Sequence, residues 1–128
     1  MDYFLGIDIG TTAVKAVAFS ANGKLLGEQS RSYLMLHPEP DRSEQDPEEI
    51  LQAVFTCVEN ILQVFGYPPK LVSFSAAMHS LMAVDEKGIP ISKCIIWADN
   101  RAAAIAARIR KEQRGKTFYE ETGVRIHA

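Results

Sequence analysis

Tyr3-Phe4-Leu5-Gly6-Ile7-Asp8-Ile9-Gly10-Thr11-Thr12-Ala13-Val14-Lys15 is the stretch on which the fold turns. Residues 3–9 form a nearly continuous apolar run, the pattern of a strand covered on both faces. Gly10-Thr11-Thr12 forces a turn, and a second run from Ala13 to Ser20 follows at once. Asn22-Gly23 is a strong hairpin signal, because both central residues of a type I′ turn need φ > 0. A third strand over about residues 24–33 closes a three-strand meander.

Outward from this start, residues 36–42 hold two prolines and read as an exposed connection. A helix then begins: Asp46 can cap it, Pro47 suits the first helical position, and Glu49 completes a variant capping box. Ile50, Leu51, Val54, Val58, Ile61, Leu62 and Phe65 follow at helical spacing, so one face is buried. Gly66 and Pro68-Pro69 stop it. Residues 71–77 read as a buried strand, 81–84 and 89–91 as a hairpin around 85–88, and 94–97 as a short strand. A second helix is expected from about Asn100 to Arg114, with Ala102, Ile105, Ala106 and Ile109 on one face. Its basic last turns suit the negative end of the helix dipole. Gly115 is expected to end it, and Thr117 and Glu120 to cap a last short helix stopping at Gly123. The order predicts an α/β fold, a mixed sheet with flanking helices.

The chain has 128 residues, 47% of them hydrophobic and 23% charged, which is ordinary for a soluble domain and excludes a disordered class. At 14.2 kDa, a compact fold would expose roughly 6,800 Å². Fourteen basic residues against 16 acidic give a net charge of −2, so nothing favours a nucleic-acid or membrane-surface partner. Cys57 and Cys94 show no metal or redox spacing and read as buried or half-buried thiols in a reducing cytosol. Residues 1–9 lack the basic start of a signal peptide, and the longest apolar run, Ala102 to Ala107, is too short to span a membrane. A cytoplasmic location is expected.

Three constellations carry chemistry. The first is Asp8-Ile9-Gly10-Thr11-Thr12 with Lys15. Gly10 lets backbone N–H groups approach an anion, Thr11 and Thr12 add hydroxyls, and Lys15 adds a cation. Asp8 interrupts an apolar strand, and a carboxylate beside a phosphate cradle suits a hydrated Mg²⁺. An ordinary hairpin turn with an exposed aspartate accounts for the same spacing. The second is Ser75-Ala76-Ala77-Met78-His79-Ser80, after a strand, where ligands of open α/β sheets bind. Taken alone, a structural histidine and a core methionine explain it better. The third is Trp97-Ala98-Asp99-Asn100-Arg101. Asp99 could accept from sugar hydroxyls, Arg101 could meet a carboxylate with its planar fork, and Trp97 could shield a substrate face. The plain alternative is that Asp99 or Asn100 caps the helix and Trp97 is core. Glu44-Gln45-Asp46 is explained by capping and is assigned no chemistry.

In this order the motifs resemble the N-terminal domain of the FGGY carbohydrate kinases, of the sugar kinase/actin/Hsp70 superfamily. The matching stretches are residues 5–15, Glu44-Gln45-Asp46-Pro47-Glu48, Ser73 to Ser80 and Ile96 to Arg101. Ala76-Ala77-Met78-His79-Ser80 departs from the Gly-Gln-Met-His-Gly of the family's xylulokinases, and with Trp97 to Arg101 looks most like its gluconate kinases. The resemblance implies a ribonuclease-H-like (actin-like ATPase) sheet, with residues 1–128 supplying most, but not all, of the first of two domains that close on a cleft. It implies ATP-dependent phosphorylation of D-gluconate to 6-phosphogluconate. Asp8 would hold Mg²⁺, and Gly10, Thr11, Thr12 and Lys15 would form the first phosphate-binding turn. Met78 and His79 would contact the sugar, and Trp97, Asp99 and Arg101 would line its cleft, with Arg101 or His79 sensing the carboxylate. The base and adenosine pocket fall in a second domain absent from residues 1–128, so this fragment alone is expected to be inactive. Apolar surface left open towards that domain could drive artificial association of this fragment, and a homo-oligomer is separately allowed for. The alternatives are a kinase of xylulose or a polyol in the same family, and a non-catalytic actin-like binding module.

Overall fold

The computed structural model describes residues 2–127. Its elements are β1 (Tyr3–Ile9), β2 (Ala13–Ser20), β3 (Leu25–Ser32), β4 (Glu44–Gln45), α1 (Pro47–Phe65), β5 (Leu71–Ala76), β6 (Cys94–Ile95), α2 (Ala103–Lys111) and α3 (Gln113–Thr122). The main sheet runs β3-β2-β1-β5, and β4 pairs with β6 in a separate ribbon. β1, β2 and β3 are antiparallel neighbours, while β5 lies parallel to β1. The parallel pair needs a crossover, and α1 supplies it.

Alternation along the strands builds the core. Tyr3, Leu5 and Ile7 of β1 and Val14, Ala16 and Ala18 of β2 are buried together with Ala53, Cys57 and Ile61 of α1. Ala16 and Ala18 are small enough to let the helix lie close. Asp46 caps α1 by accepting from the Glu48 N–H at 3.1 Å, and Pro47 opens the helix. The Asp46 carboxylate also pairs with Lys93, which ties the start of α1 to the chain entering β6. At the other end Gly66 adopts φ 73° and donates to the Leu62 carbonyl. The Tyr3 ring stacks on Phe65 at a 4.2 Å centroid distance, and its hydroxyl donates to the Tyr67 carbonyl.

The covering differs from expectation. α1 shields only one face of β1, and every residue of β5 is exposed, including Val72 and Phe74. The surface area is 8,959 Å², well above the roughly 6,800 Å² of a compact chain of this mass. Cys57 is buried and Cys94 half-buried, both as free thiols. No helix among the described residues is long and apolar enough to cross a membrane.

Six local expectations need correction. Asn22 does not take a positive φ; Gly23 alone does, at 80°, and its N–H donates to the Ser20 carbonyl. The turn is therefore a type I turn followed by a left-handed glycine, rather than type I′. The expected hairpin at 81–91 keeps one isolated bridge, Val84 to Pro90, because Asp85 folds the backbone onto itself through Lys87 and Ile89. The strand expected at 94–97 pairs only over Cys94–Ile95. The second helix starts at Ala103, not Asn100, and breaks at Glu112, which is extended at ψ 154°. Gly115 does not end a helix; it sits inside α3, buried at the elbow with α2. A Cβ there would lie 2.2 Å from the Ile109 carbonyl oxygen, so the glycine permits a close approach. Thr117 bonds back to the Gln113 carbonyl within α3 instead of capping it.

Gly115→Ala is therefore expected to destabilise the α2–α3 elbow by about 1–3 kcal/mol. Gly6→Ala should be nearly neutral, since a Cβ at Gly6 meets nothing closer than the Val17 carbonyl at 4.0 Å. Urea unfolding followed by circular dichroism checks both.

Candidate functional site

The turn between β1 and β2 is held from several directions. Gly10 donates to the Ala13 carbonyl at 3.0 Å, and the Tyr33 N–H donates to the Thr12 carbonyl at 3.2 Å. The Tyr33 hydroxyl donates to the Gly10 carbonyl, and the Gln45 side-chain amide to the Thr11 carbonyl. The Trp97 indole N–H donates to Thr11 Oγ1 at 3.1 Å. Burial, then the nearby Asp8 charge, pushes the Tyr33 phenol up, so it stays a proton donor at neutral pH.

Asp8 is exposed near the end of β1, opposite Lys15 on β2 and beside Ser75 on β5. Lys15 reaches Glu28 at 3.2 Å in an exposed pair that contributes little stability. A Cβ on Gly10 would lie 3.2 Å from the Ala13 carbonyl oxygen and 3.7 Å from Asp8 Oδ2. The glycine thus keeps open the space beside the Asp8 carboxylate.

A polar network forms the second part. Asp99 is only 5% exposed. Its carboxylate accepts from Arg101 Nε and Nη2, both at 2.8 Å, and from the backbone N–H groups of Ser43 at 2.8 Å and Arg101 at 3.1 Å. Arg101 Nη2 also pairs with Glu44. The Arg101 guanidinium holds the Asp99 carboxyl well below the usual carboxylate range against the opposing effect of burial, with the two backbone donors helping. Asp99 and Glu44 in turn push Arg101 above its ordinary value.

Beside this network lies a cleft of about 710 Å³, lined in part by His79, Trp97, Asp99, Arg101, Arg125 and His127. β5 feeds into it: Ala77 still donates to the Ile9 carbonyl, and His79 then bends the chain at φ 62°. A left-handed backbone at a non-glycine residue is uncommon, and histidine is among the residues that tolerate it better.

The structure therefore brings Asp8, Gly10, Thr11, Thr12 and Lys15 to one turn, and His79, Trp97, Asp99 and Arg101 to one cleft. Trp97 joins the two groups. Met78 is 72% exposed and is not among the cleft residues. Neither it nor Trp97 is core, so the plain alternatives for both are overturned. Asp99 and Asn100 do not cap the second helix either: its N-cap is Ala102, with no side-chain bond. Tyr33 and Arg125 were not singled out as site residues, and Glu44 and Gln45, ascribed to capping, bond instead to Arg101 and Thr11. For Glu44 and Gln45 a signal existed, two polar residues placed just ahead of a cap that needs only Asp46.

Replacing Asp99 by Asn removes a buried charge that four donors serve, so Asp99→Asn should cost about 1.5–3 kcal/mol at neutral pH. A carboxyl whose folded pKa is depressed stabilises fully above the unfolded carboxylate range near 4. The stability gap between wild type and variant should therefore shrink as pH falls below about 4. Denaturant titrations at several pH values measure it.

Comparison with known proteins identifies the family and the fold. Residues 3–128 match the N-terminal domain of the FGGY family of carbohydrate kinases. A gluconokinase of Bacillus licheniformis is 44% identical over 126 residues, covering 98% of this chain and 25% of the relative. That of Bacillus subtilis (strain 168) is 45% identical over 128 residues, with the same coverage of both chains. A xylulose kinase of Staphylococcus xylosus is 36% identical over 112 residues, covering 87% of this chain and 23% of the relative. A crystal structure of gluconate kinase from Lactobacillus acidophilus superposes with a TM-score of 0.92 at 30% identity, over 98% of this chain and 26% of that one. The chain spans about a quarter of the length of the curated relatives it matches. Its α/β unit has the ribonuclease-H-like, actin-like mixed sheet of sugar kinase N-terminal domains. A match running nearly end to end, with identities of this order and one shared fold, means that the chain belongs to the FGGY family of carbohydrate kinases, with residues 3–128 matching its N-terminal domain.

Proposed function

We propose that the protein carrying this domain phosphorylates D-gluconate at its terminal hydroxyl with ATP, giving 6-phosphogluconate. The observation that carries this reading is the Trp97–Thr11 hydrogen bond, which sets the candidate sugar wall directly against the candidate phosphate turn. The choice of sugar acid is supported by the gluconokinase relatives, at 44–45% identity against 30–38% for xylulose kinases.

In this reaction a sugar hydroxyl oxygen bonds to the γ-phosphorus, and the bond from that phosphorus to the β–γ bridging oxygen breaks. The hydroxyl proton passes to a base, which we place, with the adenosine pocket, in a second domain beyond these residues. Little of the catalysis is covalent; most is positioning and charge stabilisation. Gly10, Thr11 and Thr12 would present the turn to the phosphates, with Lys15 adding positive charge. Asp99, a carboxylate already fixed by Arg101, would line the polar side of the sugar cleft, while Trp97 and His79 shape it.

The space that Gly10 leaves beside the Asp8 carboxylate suits a hard, oxygen-seeking cation with its waters. Asp8 would hold Mg²⁺ there, where the ion would neutralise phosphate charge.

Asp8→Asn in the intact kinase should lower kcat about 10²-fold or more, with a much smaller change in the KM for gluconate. A coupled ADP-release assay measures both. Equal turnover by variant and wild type would remove Asp8 from this role. Residues 1–128 alone should release no ADP from ATP with gluconate, since one wall of the cleft is missing. The reading as a whole is tested by offering the intact kinase gluconate and xylulose in competition. Preference for xylulose would replace gluconate as the substrate.

A further inference from the structure

A sugar acid brings a negative charge into the cleft, and some group must meet it. Arg101 is poorly placed for the task, because it is already committed. Its Nε and Nη2 serve both oxygens of Asp99, and Nη2 also serves Glu44. One guanidinium between two carboxylates leaves that cluster with a net charge of −1, which repels an incoming anion. Drawing Arg101 towards a substrate would strip its partner from Asp99, a carboxylate only 5% exposed. Leaving a buried charge unpaired is strongly unfavourable.

The same cleft carries a second arginine. Arg125 lines it, on the segment that follows α3, and among the described residues its guanidinium enters no ion pair or hydrogen bond. Its backbone is nevertheless tied down. Gly123 closes α3 at φ 69°, and Arg110 of α2 donates to the Ile126 carbonyl at 3.0 Å. Val124, Arg125 and His127 all line the cleft, so this segment forms its far wall.

The geometry points to Arg125, not Arg101, as the residue that recognises the substrate's carboxylate. Arg101 is then a positioning residue that ties Asp99 and Glu44 together in the cleft wall. The uncommitted planar fork of Arg125 can meet both oxygens of a carboxylate, which the committed fork of Arg101 cannot. This inference rests on the proposed gluconate reading and assigns the charge selectivity within it.

The test uses the intact kinase and two ligands of the same chain length, gluconate and its neutral polyol analogue glucitol. Wild-type turnover of gluconate is measured first. Its absence overturns the functional reading itself, and this assignment with it. Given turnover, Arg125→Gln should weaken gluconate binding by tenfold or more in calorimetry while changing glucitol far less, and Arg125→Lys should recover part of the loss. The gluconate affinity of the wild type should also fall with added salt more steeply than that of Arg125→Gln. Arg101→Gln should instead weaken both ligands together. Unchanged gluconate affinity in Arg125→Gln, or equal losses for gluconate and glucitol, would overturn the assignment. An Arg125→Gln variant that misfolds is recognised by its melting temperature, and Arg125→Lys then decides through the same pair of ligands and the salt dependence.

Discussion

The site depends on what the two-residue strand β4 does with its side chains. Glu44 turns to Arg101, and Gln45 turns to the carbonyl of Thr11. Neighbouring residues of a strand point to opposite sides, so one dipeptide can hold two structures at once. On one side it steadies the arginine that fixes Asp99. On the other it steadies the turn between β1 and β2. Pairing with β6 then brings Trp97 within reach of the same threonine. Because Gln45 is buried, its amide must be satisfied, and the Thr11 carbonyl does this. The local geometry of the turn is thus set by its neighbours as much as by its glycine.

Regular elements with a strong local cause were legible in the sequence. The apolar runs of β1 and β2 and the capped, periodic α1 lie close to where they were expected. The three chemical constellations were also legible as residues. What pattern alone did not contain was the manner of their assembly. Asp99 looked like a helix cap because aspartate before a helical stretch usually is one. Its partners are Arg101, two residues on, and Ser43, 56 residues earlier, and no local rule reaches the second. The role of Glu44 in holding Arg101 was hidden for the same reason.

Glycine misled in two ways. Asn22-Gly23 suggested a type I′ turn, but the chain inserts an extra loop residue and needs only one left-handed position. Gly115 suggested a stop, yet its lack of a side chain serves packing between two helices. Glycine permits unusual φ and also permits close approach, and sequence alone does not tell which property is in use. Met78 misled through its type: a methionine beside a strand reads as core, but this one lies past the strand end on open surface.

β5 has a consequence for how the domain folds. β1, β2 and β3 pair through short connections and can form early. β5 can join β1 only after α1 has crossed between them, so it arrives late and at a greater entropic cost. Once in place it is an edge strand of the sheet, exposed along its whole length, with Phe74 and Val72 uncovered. Such an edge is a template for strands of other copies. Chains carrying only these residues would meet one another edge to edge, so their yield in the monomeric state would fall with concentration before any chemistry at the turn is reached.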